Sequence, residues 1–511
     1  MISARHERSG VETLGADQGD LRPDLRTHFR RGVSVSGVAY LVRQLLEFAT
    51  SIALARLLVP ADFGVVAIAG AFLQFSYVVG NVGMGIAVVQ APKLDRMLVG
   101  TALTVSLAGA TLLAFFFLVA SPWAAVFFEM PMLRLAIPVM SAPIILNSIA
   151  AIPVALLQRE FRFGAMAGVQ LASATASGVV GITLALWGHG AWSLVWATVA
   201  SSTASLLVAC SLSGGPIWPR FSRTAARGVL SFGTGLTFKN ILVQIGRSGD
   251  SLVIGKLLGE VATGLYTRAI MLARLPQTQL GFVLHSVAFP VLSRLQTEQS
   301  RFTRCYVEMT ETIALLVTPI LFGLAVMGDE AVRGLFGPNW AAAGRPLEIL
   351  SVGALLTSLH MLTGAAVEAS GRVRYEVVAL LLQTSLVPVA AGVGAIYGGI
   401  MGVSIGVAGL GGLLFGLRGW VLRATIGLSW VDYFGAIRRP LLCGVIMAVG
   451  VAIANRLVPT WWGPWQRLGT MVPLGAVLYG ASTWFVARDR LEALVEEIQA
   501  QFIRPVRRQA A

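Results

Sequence analysis

The sequence predicts an all-α polytopic membrane protein of about fourteen transmembrane helices, arranged as two six-helix halves plus two C-terminal helices. Three observations lead there. Of the 511 residues, 56% are apolar and only 13% are charged, against about 25% charged in an average soluble domain. Mean hydropathy is +0.75, and the apolar share would fill roughly a dozen or more spans of about 20 residues each. The apolar runs are also about twice as long as the ~10-residue strands of a membrane barrel, and they lack its period-two alternation. A soluble enzyme, a disordered chain and a single-anchor receptor are thereby excluded.

The elements follow in chain order, bounded by Arg, Pro or Gly. Residues 1–32 form a charged stretch, read as a cytoplasmic tail, and the absence of an apolar h-region predicts no cleaved signal peptide. The first six-helix half occupies 33–213, with runs at 33–55, 62–88, 98–120, 134–157, 164–187 and 190–213. A cytoplasmic linker, 214–228, leads to the second half at 229–423, with runs at 229–255, 261–292, 309–327, 346–369, 375–397 and 399–417. Two additional helices, at 440–455 and 468–487, fill residues 439–487. In the tail, 488–511, Leu491, Leu494, Val495, Ile498 and Phe502 recur at helical spacing before Arg504, Arg507 and Arg508. That stripe reads as an amphipathic helix on the inner leaflet, or as a solvated tail that satisfies the positive-inside bias.

Charge sets the expected topology. A net charge of +14 would suggest nucleic acid for a soluble chain, but here it concentrates in alternate loops. With both termini on one side, that side holds 27 basic residues and the opposite side 7, the asymmetry that marks cytoplasmic loops. No nucleic-acid partner is expected. The loops are too short to fold as domains, so no extramembranous catalytic domain is expected and the protein reads as a non-enzyme.

Motif chemistry is sparse. No phosphate-binding Gly-x-x-x-x-Gly-Lys-Ser/Thr loop, His-Glu-x-x-His or Cys-x-x-Cys occurs, and no metal or other cofactor is expected. Cys210, Cys305 and Cys443 have no metal spacing and read as apolar fillers. Gly402-Val-Ser-Ile-Gly406 matches a nucleophile elbow, but that motif needs a strand-to-helix turn. Inside an apolar run, small residues that let helices approach closely explain it better. The tryptophans Trp123, Trp340, Trp461, Trp462, Trp465, Trp218, Trp430 and Trp484 read as interfacial belts.

Ionisable residues inside hydrocarbon cost about 2.5–3.5 kcal/mol each and turn toward a bundle interior or a wet cavity. The first run carries Arg43 and Glu47, one turn apart. The seventh carries Lys239, Arg247 and Asp250, which fall within about 80° of one another on a helix. The eighth carries Arg268 and Arg274, about 120° apart, so one is expected to line a cavity and the other to point elsewhere. One reading is a cationic, water-filled cavity for an anionic head group. The other is local neutralisation, Arg43 with Glu47 and Arg247 with Asp250.

An internal repeat supports two halves. Leu54–Gly64 and Ile254–Gly264 align at an offset of 200, placing Arg56 on Lys256, Leu57 and Leu58 on Leu257 and Leu258, and Gly64 on Gly264. Glu47 and Arg247 share that offset. Repeated halves around a midplane site are a transporter architecture.

An ordered set of segments carries a resemblance. The set comprises Ala55–Ala69 (Ala-Arg-Leu-Leu-Val-Pro-Ala-Asp-Phe-Gly-Val-Val-Ala-Ile-Ala), Phe72-Leu-Gln-Phe, Gly83-Met-Gly and Leu157–Phe163. It continues with Gly246–Gly259, Thr263–Ala269, Phe289–Arg294 and Leu335–Trp340. Together they resemble the polysaccharide-transport family of the multidrug/oligosaccharidyl-lipid/polysaccharide exporter superfamily, closest to Wzx-type flippases of the colanic-acid and succinoglycan exporter kind. The resemblance runs from about residue 30 to about 430. It implies transfer of undecaprenyl-diphosphate-linked oligosaccharide across the bacterial inner membrane, for exopolysaccharide, capsule or lipopolysaccharide assembly. The family's Arg-x-x-Asp looks to be carried by Arg247 and Asp250, and its basic residue early in the eighth span by Arg268. Arg43 and Glu47 depart from its apolar first span.

The expected substrate-binding set is therefore Arg43, Glu47, Lys239, Arg247, Asp250 and Arg268. Membrane lipid is a further partner, and a polysaccharide polymerase and co-polymerase are candidate ones. The rival reading is a cation-coupled multidrug or metabolite exporter, which would favour an acidic cavity over this basic one. A membrane glycosyltransferase or polymerase would call for a larger outer loop than the ~20 residues available. Reporter fusions test the topology: sites near Pro60, Trp123, Pro338 and Trp462 should report outside, and those near Lys93, Arg223, Arg301 and Arg508 inside. A cytoplasmic signal at both Trp123 and Pro338 would break the two-halves arrangement.

Overall fold

The structure, a computed structural model, describes residues 23–80, 95–215, 218–459, 461–486 and 488. Within them lie thirteen α-helices and no strand. In order they are α1 (Pro23–Leu57), α2 (Pro60–Gly80), α3 (Arg96–Phe128), α4 (Leu133–Arg159), α5 (Phe163–Leu186), α6 (Ala191–Leu212) and α7 (Arg223–Arg294). They continue as α8 (Gln299–Phe336), α9 (Gly344–Leu359), α10 (Thr363–Ala369), α11 (Val373–Ile426), α12 (Trp430–Leu457) and α13 (Pro464–Val486). Among the described residues, nine helical segments are long and apolar enough to cross a membrane. The chain is a multi-pass membrane protein. Residues 23–32 of the expected N-terminal tail are helical and begin α1; residues 1–22, 81–94 and the expected C-terminal tail beyond 488 lie outside the described residues.

Two predicted pairs of runs merge into single elements that double back. In α7 the break is Gly259, at φ 81°, a region that costs a side chain but not glycine. The two arms, 223–258 and 260–294, pack on each other, since Asp250 on the first meets Tyr266 and Arg274 on the second. In α11 the break is Gly398–Gly399, and Gly402 lies against the backbone of Gly394 across the bend. Small residues at Gly402 and Gly406 serve close helix approach, as the spacing predicts.

Arginine closes the C-terminal ends of three helices. The last four carbonyls of a helix have no intrahelical donor, and a cation there also meets the negative end of the helix dipole. Arg162 reaches the carbonyl of Leu212 at the end of α6 (2.6 Å), and Arg372 those of Ala424 and Thr425 at the end of α11 (2.8 and 2.7 Å). Arg56 holds the carbonyls of Gly334 and Leu335 at the end of α8. Residues counted from the sequence only as topology signals thus also close helices. Arg418, placed from the sequence in a loop, is instead buried inside α11 and paired with Glu376. At opposite polarity, Asp95 and Ser429 cap the starts of α3 and α12.

The largest buried cluster joins the first helices to the later ones and runs from Leu292, Phe302 and Ile426 to the end of the bundle that holds Pro60. There Trp340, in a 3-10 turn spanning Pro338–Ala343, is 0% exposed. Its Nε1 donates to the carbonyl of Ala55 (2.7 Å), and Phe63 meets its ring edge-on at 5.2 Å. The belt reading of Trp340 is therefore wrong: the ring's N–H satisfies an orphan carbonyl at the end of α1 and pins α1 against the later helices. Trp123, Trp218, Trp461, Trp465 and Trp484 do stand exposed. On α3 the exposed face is continuous and apolar, through Leu112, Phe115, Phe116, Val119 and Val126, a lipid-facing surface.

Trp340→Phe should cost about 1–3 kcal/mol by stranding the Ala55 carbonyl, and Trp340→Ala about 3–5 kcal/mol by also opening a cavity. Unfolding of detergent-purified protein checks both, and near-wild-type stability of Trp340→Phe would show that the hydrogen bond contributes nothing.

Candidate functional site

Two antiparallel helical segments carry the mid-span charge: α1, and residues 260–294 of α7. Polar bridges fix their register. Near the Pro60 end, Arg268 donates from Nη1 to Ser51 Oγ (2.6 Å). Deeper in the bundle, Gln279 donates to Gln44 Oε1 (3.2 Å) and accepts from Tyr40 (3.4 Å). Between these bridges α1 advances from Gln44 to Ser51 while its partner runs back from Gln279 to Arg268. Glu47 therefore stands level with the turn that carries Arg274.

Asp250 organises the second segment. Its side chain is 1% exposed, and a buried carboxylate must be hydrogen-bonded or paired. Oδ2 accepts from the buried Tyr266 hydroxyl (2.8 Å) and lies 3.6 Å from Arg274 Nη2, while Oδ1 accepts from the Ser251 N–H (2.7 Å). Arg274 keeps 34% of its side chain exposed. One face of the guanidinium is anchored and the rest is available.

Arg43 and Glu47 form the predicted i,i+4 pair, Nη1 to Oε1 at 3.3 Å, with 30% and 46% of their side chains exposed. Arg43 also lies over the Tyr40 ring at 5.6 Å. The pair closes locally, yet both partners keep accessible surface.

Arg268 points elsewhere, as the angular separation from Arg274 predicts. Its guanidinium stacks over Phe63 at 4.0 Å between α1, α2 and α7, and its Nε is buried with no hydrogen-bond partner. The structure thus pairs Arg43 with Glu47 and Asp250 with Arg274, sets Glu47 level with Arg274, and places Arg268 apart, toward the Pro60 end. The side chains of Lys239 and Arg247 lie outside the described residues; their backbone places both on the first arm of α7, Arg247 one turn before Asp250. Tyr266 and the glutamines were missed by sequence reasoning, since only the fold-back at Gly259 brings Tyr266 onto Asp250. No group of three or more metal-binding side chains occurs among the described residues.

Beyond the span, Glu129 ends α3 in the left-handed region, at φ 59°. The hydrogen bond and charge of Lys256 (2.8 Å) hold its carboxyl below the usual carboxylate range.

Residues 53–345 match the family described as "Polysaccharide biosynthesis protein". The chain belongs to that family. It is 23% identical over 422 residues to the teichuronic acid biosynthesis protein TuaB of Bacillus subtilis (strain 168), covering 79% of this chain and 84% of that one. It is 28% identical over 309 residues to the succinoglycan biosynthesis transport protein ExoT of Rhizobium meliloti (strain 1021), covering 60% and 62%. Its fold is similar to that of the lipid II flippase MurJ in an inward closed conformation, with a TM-score of 0.71 and 13% identity over 89% of this chain and 99% of that one.

The anchoring of Asp250 can be tested by substitution. Tyr266→Phe removes one hydrogen bond and should cost about 1–2 kcal/mol. Asp250→Ala leaves the buried Tyr266 hydroxyl and Arg274 without their acceptor and should cost about 3–5 kcal/mol. Thermal or denaturant unfolding in detergent is the measurement, and near-wild-type stability of Asp250→Ala would remove the carboxylate from this role.

Proposed function

We propose that the protein is a non-enzymatic flippase that carries an undecaprenyl-diphosphate-linked oligosaccharide across the bacterial inner membrane for exopolysaccharide, capsule or lipopolysaccharide assembly. The observation that carries the reading is the mid-span set of Arg43, Glu47, Asp250 and Arg274, in a chain of the polysaccharide biosynthesis family. Charges at that depth are expensive unless they serve a polar path. Two guanidiniums with accessible surface suit a diphosphate, because the planar fork binds phosphate oxygens bidentately. Lys239 and Arg247, on the same arm as Asp250, add positive charge. The rival, cation-coupled efflux, gains nothing from a set in which Arg and Lys outnumber the carboxylates.

In this reading the six helices of 33–213 and the six of 229–423 form two halves that rock about the charged level, with 439–487 as two added helices. Fourteen crossings leave both termini cytoplasmic and put the Pro60 end outside. The curated relatives' names point the same way: one is a succinoglycan transport protein and one a teichuronic acid biosynthesis protein. A polysaccharide polymerase and co-polymerase would act on the delivered glycan.

In a deletion strain, lipid-linked glycan should accumulate on the inner leaflet while its synthesis from sugar nucleotides continues. Elongation of glycan by the purified protein would overturn the reading. In complemented cells, Arg247→Lys and Arg274→Lys should each keep expression but lose most polysaccharide output, and the alanine variants should lose more. Asp250→Asn should be milder than either arginine variant if it only orients Arg274. Near-wild-type output from all the arginine variants would take both residues out of the substrate path.

A further inference from the structure

Between α6 and α7 the chain is laced to the first turns of α3 by three hydrogen bonds. The Arg220 N–H donates to the Gly100 carbonyl (3.2 Å), Thr104 Oγ1 donates to the Arg220 carbonyl (2.8 Å), and the Ser222 N–H donates to Thr101 Oγ1 (3.1 Å). Gly100 permits the approach, since a Cβ there would stand 2.7 Å from Arg220 Cβ. Trp218 and Phe221, 75% and 60% exposed, flank this strap, as aromatic rings do at the head-group level of a bilayer.

Next to the strap, α3 carries a groove of about 560 Å³ that the transport reading leaves unused. It runs from Thr104 through Leu107 and Thr111 to Phe115, and Pro219 of the strap stands at its Thr104 end. Apart from the two threonines, its lining is apolar. Eleven residues separate Thr104 from Phe115, about 16 Å along a helix, which matches the ~15 Å hydrocarbon depth of one leaflet. Gly100, where the strap is tied, lies one turn before Thr104, about 6 Å further along the axis. That is the thickness of a head-group layer, about 5–7 Å.

At the strap end the chemistry changes sign. Arg96, Arg220 and Arg223 are all exposed there, while Asp95 is turned onto the Met97 N–H as the cap of α3 (3.2 Å). Another groove of similar size, along α11 between Leu386 and Leu410, has no charged residue in its lining. The α3 groove alone of these two joins a leaflet-deep apolar channel to a cationic rim.

We propose that this groove binds one anionic phospholipid from the leaflet on the strap's side. One acyl chain fills the groove from Leu107 to Phe115, and the other lies on the exposed apolar face of α3. The phosphate meets Arg220 and Arg223, whose guanidiniums offer paired donors to its oxygens. Depth selects the chain and the rim selects the charge. Calling that leaflet the inner one rests on the cytoplasmic reading of residues 214–228; the groove and its rim do not. Because the strap supplies both Pro219 and Arg220, lipid selection and strap docking are coupled.

The test uses full-length protein with Cys210, Cys305 and Cys443 replaced by serine. Phe116→Cys, one turn on from Leu112 at the apolar end of the groove, carries a bimane fluorophore. The protein is placed in phosphatidylcholine vesicles that contain either brominated phosphatidylglycerol or brominated phosphatidylcholine at the same mole fraction. Acyl bromine quenches the fluorophore on contact, and the phosphatidylglycerol should quench several-fold more. Arg220→Gln with Arg223→Gln should make the two lipids equal. Gly100→Val, which keeps every arginine but leaves no room for Arg220 beside α3, should do the same. A bimane at Val393→Cys, in the α11 groove, should not distinguish the lipids.

Equal quenching at position 116 with the rim intact overturns the site. So does a preference that survives the paired glutamine variant, or one equally strong at position 393, which would describe a general anionic shell. Should Gly100→Val fail to fold, the arginine pair still decides the matter. Relief of quenching by a trace of unbrominated undecaprenyl phosphate would give the groove to the isoprenoid carrier and overturn the phospholipid assignment. Relief only by excess unbrominated phosphatidylglycerol supports it. None of these readouts involves glycan transport, so the flippase reading stands or falls separately.

Discussion

A carboxylate 1% exposed within an apolar helix bundle has to find donors, and beyond its neighbour Ser251 Asp250 finds Tyr266 and Arg274 only because α7 folds back on itself. The burial of that charge and the bend at Gly259 are one constraint seen twice. Without the bend, Tyr266 and Arg274 would lie far along the same helix, and the carboxylate would stand in hydrocarbon at a cost of several kcal/mol. With it, the second arm is held in register against the first, and everything that arm carries follows. Arg274 meets Asp250, Gln279 reaches Gln44, and Arg268 reaches Ser51.

The same arm ties the charged level to the Pro60 end. Between Gly264 and Gln279 it passes from a backbone crossing, through a guanidinium stacked on Phe63, to a salt-bridged guanidinium with free surface. Each layer uses a different interaction. Backbone meets backbone at Gly264, a cation–π stack follows at Arg268, and an ion pair of 3.6 Å to a buried carboxylate holds Arg274.

Arginine dominates the basic residues because it does several jobs that an ammonium does less well. It caps helix ends through Arg56, Arg162 and Arg372, stacks through Arg268, and pairs through Arg274 and Arg418. A planar guanidinium with five donors can meet two carbonyls at once, as Arg372 does. The asymmetry of charge between loops and the termination of helices are therefore served by the same residues.

Hydropathy and charge alone determined the all-helical membrane class, the approximate runs and the local Arg43–Glu47 pair, because those depend on composition and on neighbours three or four residues apart. The repeat was legible as well, since its two copies keep Arg56 and Lys256, and Gly64 and Gly264, at one offset. That the copies meet backbone to backbone at Gly64 and Gly264, that Trp340 caps α1 from the core, that Asp250 takes Tyr266 and Arg274, and that Arg418 is buried against Glu376 are contacts between residues 16 to 285 positions apart. Periodicity says which face of a helix is polar but not which helix that face will meet. Only the packed bundle decides that, because in hydrocarbon each buried charge and orphan carbonyl takes whatever partner the tertiary fold brings within reach.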